Sequence, residues 1–214
     1  MVKLYTYFRS SAAFRVRIAL NLKGLVYEPL IVHLAKGEHR KPEYTGKYPQ
    51  GLLPTLLADG LELSQSLAII EYLDETRPNP ALLPRDAPGR ARVRSLSLLV
   101  ACEIHPLNNL RTLQYLKRQL GQNDDQINAW YRHWIADGLA KLEADLLRGK
   151  KSKFCHGDTP TMADCCLVPQ IFNAKRYNCD LAPYPAAMRV FDECMKLDAF
   201  DRAQPAKQPD AMTP

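Results

Sequence analysis

Three short stretches of the chain carry residue types and spacings that chemistry can use. In the first, Arg9-Ser10-Ser11 stands between an alternating run from Lys3 to Phe8 and a helical repeat at Phe14, Ile18 and Leu22. Ser10 or Ser11 caps that helix, and a hydroxyl at a helix start favours an anion through its hydrogen bond and the helix dipole. The place suits a thiolate supplied by a ligand, because no cysteine stands there for disulfide chemistry. In the second, Leu53-Pro54 opens a strand; proline cannot donate to a ladder, so the backbone of Leu53 is left open to an extended peptide. In the third, Ser64, Gln65 and Ser66 precede Leu67, Ile70 and Leu73 at helical spacing, which makes the serines N-cap candidates. An open peptide edge beside a capped helix start fits a small anionic peptide with a free carboxylate. The same residues also describe an ordinary hairpin followed by a well-capped helix.

The elements that must hold these stretches can be read from period and punctuation. Lys3–Phe8 and Leu25–Val32 read as strands on either side of a helix that Gly24 closes, with Arg15 and Arg17 falling off the apolar stripe. Asp59-Gly60 joins two short apolar runs and predicts a tight hairpin. The order is βαβ and then ββα, a thioredoxin-like arrangement. From Thr76 to Pro88, Pro78, Pro80, Pro84 and Pro88 mark a linker. Helices are expected beyond it at Arg90 to about Leu120, Gln126–Leu147, Met162 to about Lys175 and Ala186 to about Phe200. Thr161-Met162-Ala163-Asp164 resembles a capping box, and Pro106 and Pro169 are expected to kink or break their helices. The domain scheme is therefore 1–80, a linker over 81–88, and an all-helical 89–214.

The chain has 214 residues, 46% of them hydrophobic and 24% charged, within the range of a soluble globular protein of two modest domains. No run approaches a membrane span and no leader pattern opens the chain, so a cytoplasmic protein is expected. The six cysteines lack Cys-x-x-Cys pairs and zinc spacing, which points to reduced structural thiols and no metal. The net charge of +6 is spread among acidic residues, which suits a small anionic substrate better than nucleic acid.

Three segments carry a family resemblance over essentially the whole chain. They are Tyr7-Phe8-Arg9-Ser10-Ser11-Ala12-Ala13-Phe14-Arg15-Val16-Arg17-Ile18-Ala19-Leu20, Gln65-Ser66-Leu67-Ala68-Ile69-Ile70-Glu71-Tyr72-Leu73, and Thr161-Met162-Ala163-Asp164-Cys165-Cys166-Leu167-Val168-Pro169-Gln170. The sequence resembles the zeta class of cytosolic glutathione transferases: an α/β thioredoxin-like N-terminal domain followed by an all-α C-terminal domain. The resemblance implies glutathione as a regenerated cofactor and a homodimer. It implies a glutathione-dependent cis–trans isomerase that converts maleylpyruvate to fumarylpyruvate in gentisate-type aromatic degradation. Maleylacetoacetate isomerisation, glutathione conjugation and non-catalytic ligand binding are the alternatives. Ser10 and Ser11 would face the sulfur, Leu53 before a cis Pro54 would pair with the cysteinyl backbone, and Gln65 and Ser66 would take the γ-glutamyl end. His39, His105 and Asn109 match further glutathione-contacting positions. The class motif usually reads Ser-Ser-Cys-Ser, whereas Ala12 and Ala13 stand here, so hydroxyls and backbone N–H groups must suffice. Cis–trans isomerisation needs reversible nucleophilic addition to the double bond, and the protein must clamp two carboxylates and stabilise charge on a conjugated ketone. Forked guanidinium groups suit both demands, and three arginines are candidates: Arg9 beside the serines, Arg111 just past His105 and Asn109, and Arg176 after the Met162 helix.

Overall fold

A computed structural model of the protein describes residues 1–148 and 151–211. The chain divides into two compact units, one made of Met1–Leu82 together with the chain from Lys196 onward, the other of Leu83–Met195. The expected scheme gave everything after residue 88 to the helical part. The difference lies in long-range hydrogen bonds that tie the tail to the first unit: Phe8 N–H donates to Asp210 Oδ2 at 2.8 Å, and Asn21 Nδ2 to the Ala199 carbonyl at 2.9 Å.

In the first unit, β1 (Val2–Thr6), α1 (Ser11–Leu22) and β2 (Tyr27–Ile31) form the parallel crossover, and β3 (Thr55–Ala58) and β4 (Leu61–Ser64) form the hairpin. The sheet order is β2-β1-β3-β4, with β3 antiparallel to β1. Pro29 lies in β2, where an edge position spares it a ladder donor. Asp59 (φ 54°) and Gly60 (φ 77°) both take positive φ, the requirement of a tight hairpin turn. Two-residue periodicity ends at Thr6, earlier than expected, because Tyr7–Ser10 forms a turn in which Ser10 N–H donates to the Tyr7 carbonyl at 2.9 Å.

The α1 helix is buried on nearly every face. Arg15 and Arg17, expected off the buried stripe, are 3% and 0% exposed. Their long stems reach acceptors inside the unit: Arg15 Nη1 donates to Ser66 Oγ at 3.2 Å, and Arg17 Nε to the Ala203 carbonyl at 3.1 Å. Lys23 Nζ binds Asp74 Oδ1 at 2.7 Å and the Arg77 carbonyl at 2.7 Å, joining the end of α1 to α3 (Ser66–Thr76). Between β2 and β3 lie a 3₁₀ turn at Glu38–Arg40 and α2 (Pro42–Thr45). Tyr7, Val32, Tyr44 and Leu53 form a buried cluster there, with Tyr5, Phe8, Leu34 and Tyr48 packed against it.

The second unit opens with α4 (Ala87–Leu98), whose N-cap Asp86 accepts from Gly89 N–H at 2.8 Å. Pro88 thus sits in a first helical turn, where its missing donor costs nothing, and the helix starts inside the expected linker of 81–88. The single helix expected from Arg90 to Leu120 is instead α4, a π-helical stretch Leu99–Ile104, a 3₁₀ turn His105–Asn108 and α5 (Leu110–Arg118). Pro106, which lacks an N–H, lies at the break. Then come α6 (Asp124–Arg148), α7 (Met162–Arg176) and α8 (Pro185–Met195). The α7 helix runs on through Pro169 without interruption. At its start the buried Asp164 carboxylate accepts from Thr161 N–H at 2.7 Å, Thr161 Oγ1 at 2.8 Å and Cys155 N–H at 2.8 Å. Two further features complete the first unit: α9 (Asp198–Asp201), where the expected last helix is interrupted at Met195, and 3₁₀ turns at Pro205–Lys207 and Pro209–Ala211. All six cysteines are free.

Candidate active site

The candidate site of the first unit is built on the start of α1. Ser10 is the N-cap: its Oγ accepts from Ala13 N–H at 3.2 Å, and Ser11 is the first helical residue. Both are buried, at 9% and 7% exposure, at the positive end of a twelve-residue helix, a place where an anion would meet little competing water. The Ser10 hydroxyl proton stays available to an anion, because capping uses only a lone pair. Arg9 is exposed beside them, its guanidinium carbon 4.9 Å from the centroid of the Phe8 ring.

The Leu53–Pro54 peptide is cis. Ladder pairing begins at Thr55, opposite Tyr5 and Ser64, so Leu53 stands outside the register. The Tyr44 hydroxyl braces this corner on both sides, donating to the Leu52 carbonyl at 2.7 Å and lying 3.2 Å from Thr55 Oγ1. Burial pushes the Tyr44 hydroxyl's pKa up, which keeps it a donor. His39, on the 3₁₀ turn, is 8% exposed, and its Nδ1 has no partner among the described residues. Its pKa is lowered, first by burial and then by the neighbouring Arg40 charge. A buried ring nitrogen without a partner is a place for a polar ligand group.

The start of α3 corrects the expected caps. Gln65 is the N-cap, at φ 68° and ψ 115°, with no side-chain capping bond. Ser66 lies one position inside the helix, and its Oγ accepts from the buried Arg15. A non-glycine residue in that backbone region stores about 1–3 kcal/mol, which persists where the surroundings impose it and where a site uses it. Gln65 is exposed, with Nε2 donating to Gln50 Oε1 at 2.9 Å. The backbone of Gln65 and the roles of Arg15 and Arg17 are the functional features that sequence reasoning misses. The available signal is the apolar filling of every face of α1, with Ala12, Ala13, Val16, Ala19 and Leu20 leaving no solvated side for the arginines.

In the helical unit, His105 and Asn109 lie together, with His105 Nε2 and Asn109 Nδ2 3.2 Å apart. They occupy the break after the π-helical stretch and not a long helix as expected; Asn109 caps α5 by accepting from Arg111 N–H at 3.1 Å. Such breaks are frequent at functional sites. Arg111 is exposed on the first turn of α5. Arg176 ends α7, exposed, its guanidinium carbon 4.9 Å from the Tyr177 ring centroid. The Tyr177 ring stacks on the buried Tyr131 ring at 3.5 Å and 10°. The Arg176 charge partly opposes the rise in the Tyr131 hydroxyl's pKa that burial causes.

Comparison with known proteins follows the two-part build. Residues 1–75 match the family model of the glutathione S-transferase N-terminal domain, and residues 124–193 that of the C-terminal domain. The chain is 51% identical to maleylpyruvate isomerase of a Ralstonia species, over 98% of this chain and all of that one. It is 49% identical to a probable maleylacetoacetate isomerase of Vibrio cholerae, over 97% of each. A solved holo structure of maleyl pyruvate isomerase, a bacterial zeta-class glutathione S-transferase, superposes with a TM-score of 0.95 at 51% identity, covering 97% of this chain and 99% of that one. Maleylacetoacetate isomerase of Anaeromyxobacter dehalogenans, solved with glutathione in its active site, superposes at 0.89 with 44% identity, over 99% and 98% of the two chains. On these matches, and with the thioredoxin-like sheet and helical unit in place, the chain belongs to the zeta class of the glutathione S-transferase family.

Proposed function

We propose that the protein is a glutathione-dependent isomerase converting maleylpyruvate to fumarylpyruvate. The observation that carries the reading is the buried Ser10–Ser11 pair at the start of α1, in a chain 51% identical from end to end to a maleylpyruvate isomerase. The residues fit glutathione: the open backbone at Leu53, the unpartnered Nδ1 of His39 and the strained Gln65 are what a peptide with a carboxylate at each end needs. Bound there, glutathione supplies a thiolate that adds reversibly to the cis double bond, letting it turn before elimination.

The chain's own groups do the rest. Ser10, Ser11 and the backbone N–H groups at the start of α1 hold the sulfur as an anion, lowering its pKa. Leu53 pairs with the cysteinyl backbone, and Gln65 and Ser66 bind the γ-glutamyl end. His39 binds the glycine end, and His105 and Asn109 make further glutathione contacts. Arg9, Arg111 and Arg176 take the carboxylates and keto oxygen of the substrate, where charge develops as the double bond is lost.

Among the described residues no helix is long and apolar enough to cross a membrane. A cytoplasmic homodimer acting within aromatic degradation completes the proposal. Maleylacetoacetate is the second reading, favoured by the 49% identity to the Vibrio cholerae protein. The test is an ultraviolet assay of both substrates, each with and without catalytic glutathione. Cis–trans conversion without net thiol loss is expected, faster on maleylpyruvate. A faster maleylacetoacetate reaction would select the second reading, and glutathione binding without turnover would refute both.

A further inference from the structure

The turn that carries Arg9 and leads into the two serines is held from the far end of the chain. Arg17, fully buried, donates through Nη1 to Thr6 Oγ1 at 3.2 Å and to the Tyr7 carbonyl at 3.3 Å, and through Nη2 to the Phe8 carbonyl at 3.1 Å. Its Nε takes the Ala203 carbonyl at 3.1 Å. From the other side, the buried Asp210 accepts the Phe8 N–H at 2.8 Å, a contact spanning 202 residues. Both backbone groups of Phe8 are therefore fixed by charged side chains, and its ring lies against the Arg9 guanidinium. The Tyr7 carbonyl bound by Arg17 is also the acceptor for Ser10 N–H, so the turn sets the angle at which the cap enters α1. Burial lowers the Arg17 pKa to about 10, opposed first by Tyr27 and then by the Asp210 charge, so Arg17 stays a cation at neutral pH.

We propose that Arg17 and Asp210 are positioning residues for the thiolate site, and that the C-terminal segment is a working part of it because it locks the Tyr7–Ser10 turn. The inference rests on the glutathione reading for its catalytic consequence, but its geometry can be tested in protein without glutathione.

The experiment compares Asp210→Ala and Asp210→Asn with Gln208→Ala. Gln208 Nε2 donates to two tail carbonyls, those of Arg202 at 2.9 Å and Gln204 at 3.0 Å, so its loss loosens the tail while leaving the Asp210 carboxylate in the chain. In ligand-free protein, amide hydrogen exchange of residues 7–11 should speed up about tenfold or more in Asp210→Ala, the expectation for losing a hydrogen bond to a buried charge. Asp210→Asn, which keeps an acceptor for Phe8 N–H, should restore most of the protection, and Gln208→Ala, which keeps the carboxylate, should speed exchange at these residues less than Asp210→Ala does. With glutathione added, the thiolate absorbance of Asp210→Ala should titrate at higher pH than in wild type. Equal exchange at residues 7–11 in all variants, or an unchanged thiolate titration, overturns the proposal. Should Asp210→Ala fail to fold, Asp210→Glu, which shifts the carboxylate by one methylene, is read the same way. A wild type that binds no glutathione overturns the functional reading and leaves the exchange result to decide the geometry.

Discussion

Gly138 of α6 is the residue whose replacement by alanine gives the sharpest reading of the packing beneath His105. A Cβ there would lie 2.3 Å from Ile104 Cγ1 and 2.4 Å from Cδ1. Ile104 is 1% exposed and immediately precedes His105. Two effects of opposite sign compete. Alanine in a helix interior is favoured over glycine by about 0.5–1 kcal/mol. Overpacking a buried contact costs about 1–3 kcal/mol, and here the upper half applies, because Cγ1 lies near the stiff branch of a β-branched side chain with no free space to turn into. The net is a loss of roughly 1–2.5 kcal/mol, or a Tm lower by about 2–10 °C at this chain length. Urea titration and thermal melting of Gly138→Ala measure it, and a double cycle with Ile104→Ala identifies its source. The new methyl should fill part of the cavity left at residue 104, giving a favourable coupling of about 1 kcal/mol or more. A Gly138→Ala protein as stable as wild type or more so would show that propensity wins and would refute the close approach of α6 to the π-helical stretch.

Arg176→Ala should lower kcat/KM for the keto diacid by about ten- to a hundredfold, the worth of a charge-assisted bond, while glutathione affinity changes little; equal loss of both by steady-state kinetics and calorimetry would remove Arg176 from the substrate clamp. Ser10→Ala should cost about 0.5–2 kcal/mol of stability through the lost cap and raise the pH at which bound glutathione forms its thiolate; a melting temperature equal to wild type would show that the Ser10 cap contributes nothing. His39 has a folded-state pKa below the unfolded value of 6.5, so the unfolded chain takes up its proton first as pH falls. Its neutral form is at no disadvantage above that value, and stability is lost as pH drops from there toward the lower folded-state pKa. His39→Gln should flatten that part of the stability–pH curve, and an unchanged slope would place the titration elsewhere.

What is legible in the sequence follows the range of the interactions. The Asp59–Gly60 hairpin, the Gly24 helix stop and the capping box at Thr161 are decided within a few residues, and they stand as read. The start of α3 is also local, yet its pattern misleads: Ser64 and Ser66 carry the side-chain chemistry of a cap, but the cap position is taken by Gln65 in a strained backbone. That choice is imposed from outside, since Ser66 is engaged by Arg15, 51 residues earlier. The same logic explains Arg15 and Arg17, whose acceptors are the hydroxyls of Ser66 and Thr6 and the backbone carbonyls of Tyr7, Phe8 and Ala203, and carbonyls leave no mark in a sequence. It also explains why the motif tolerates Ala12 and Ala13 in place of Cys and Ser. If hydroxyls and the N–H groups of the α1 start hold the sulfur, the work at those two positions is done by backbone, which every residue but proline brings. The constraint then moves from the identity of residues 12 and 13 to the angle at which the chain enters the helix. That angle is fixed by Tyr7 and Phe8, and through them by Arg17 and Asp210, so a site whose chemistry is written at residues 9–11 depends on a segment no local pattern connects to it.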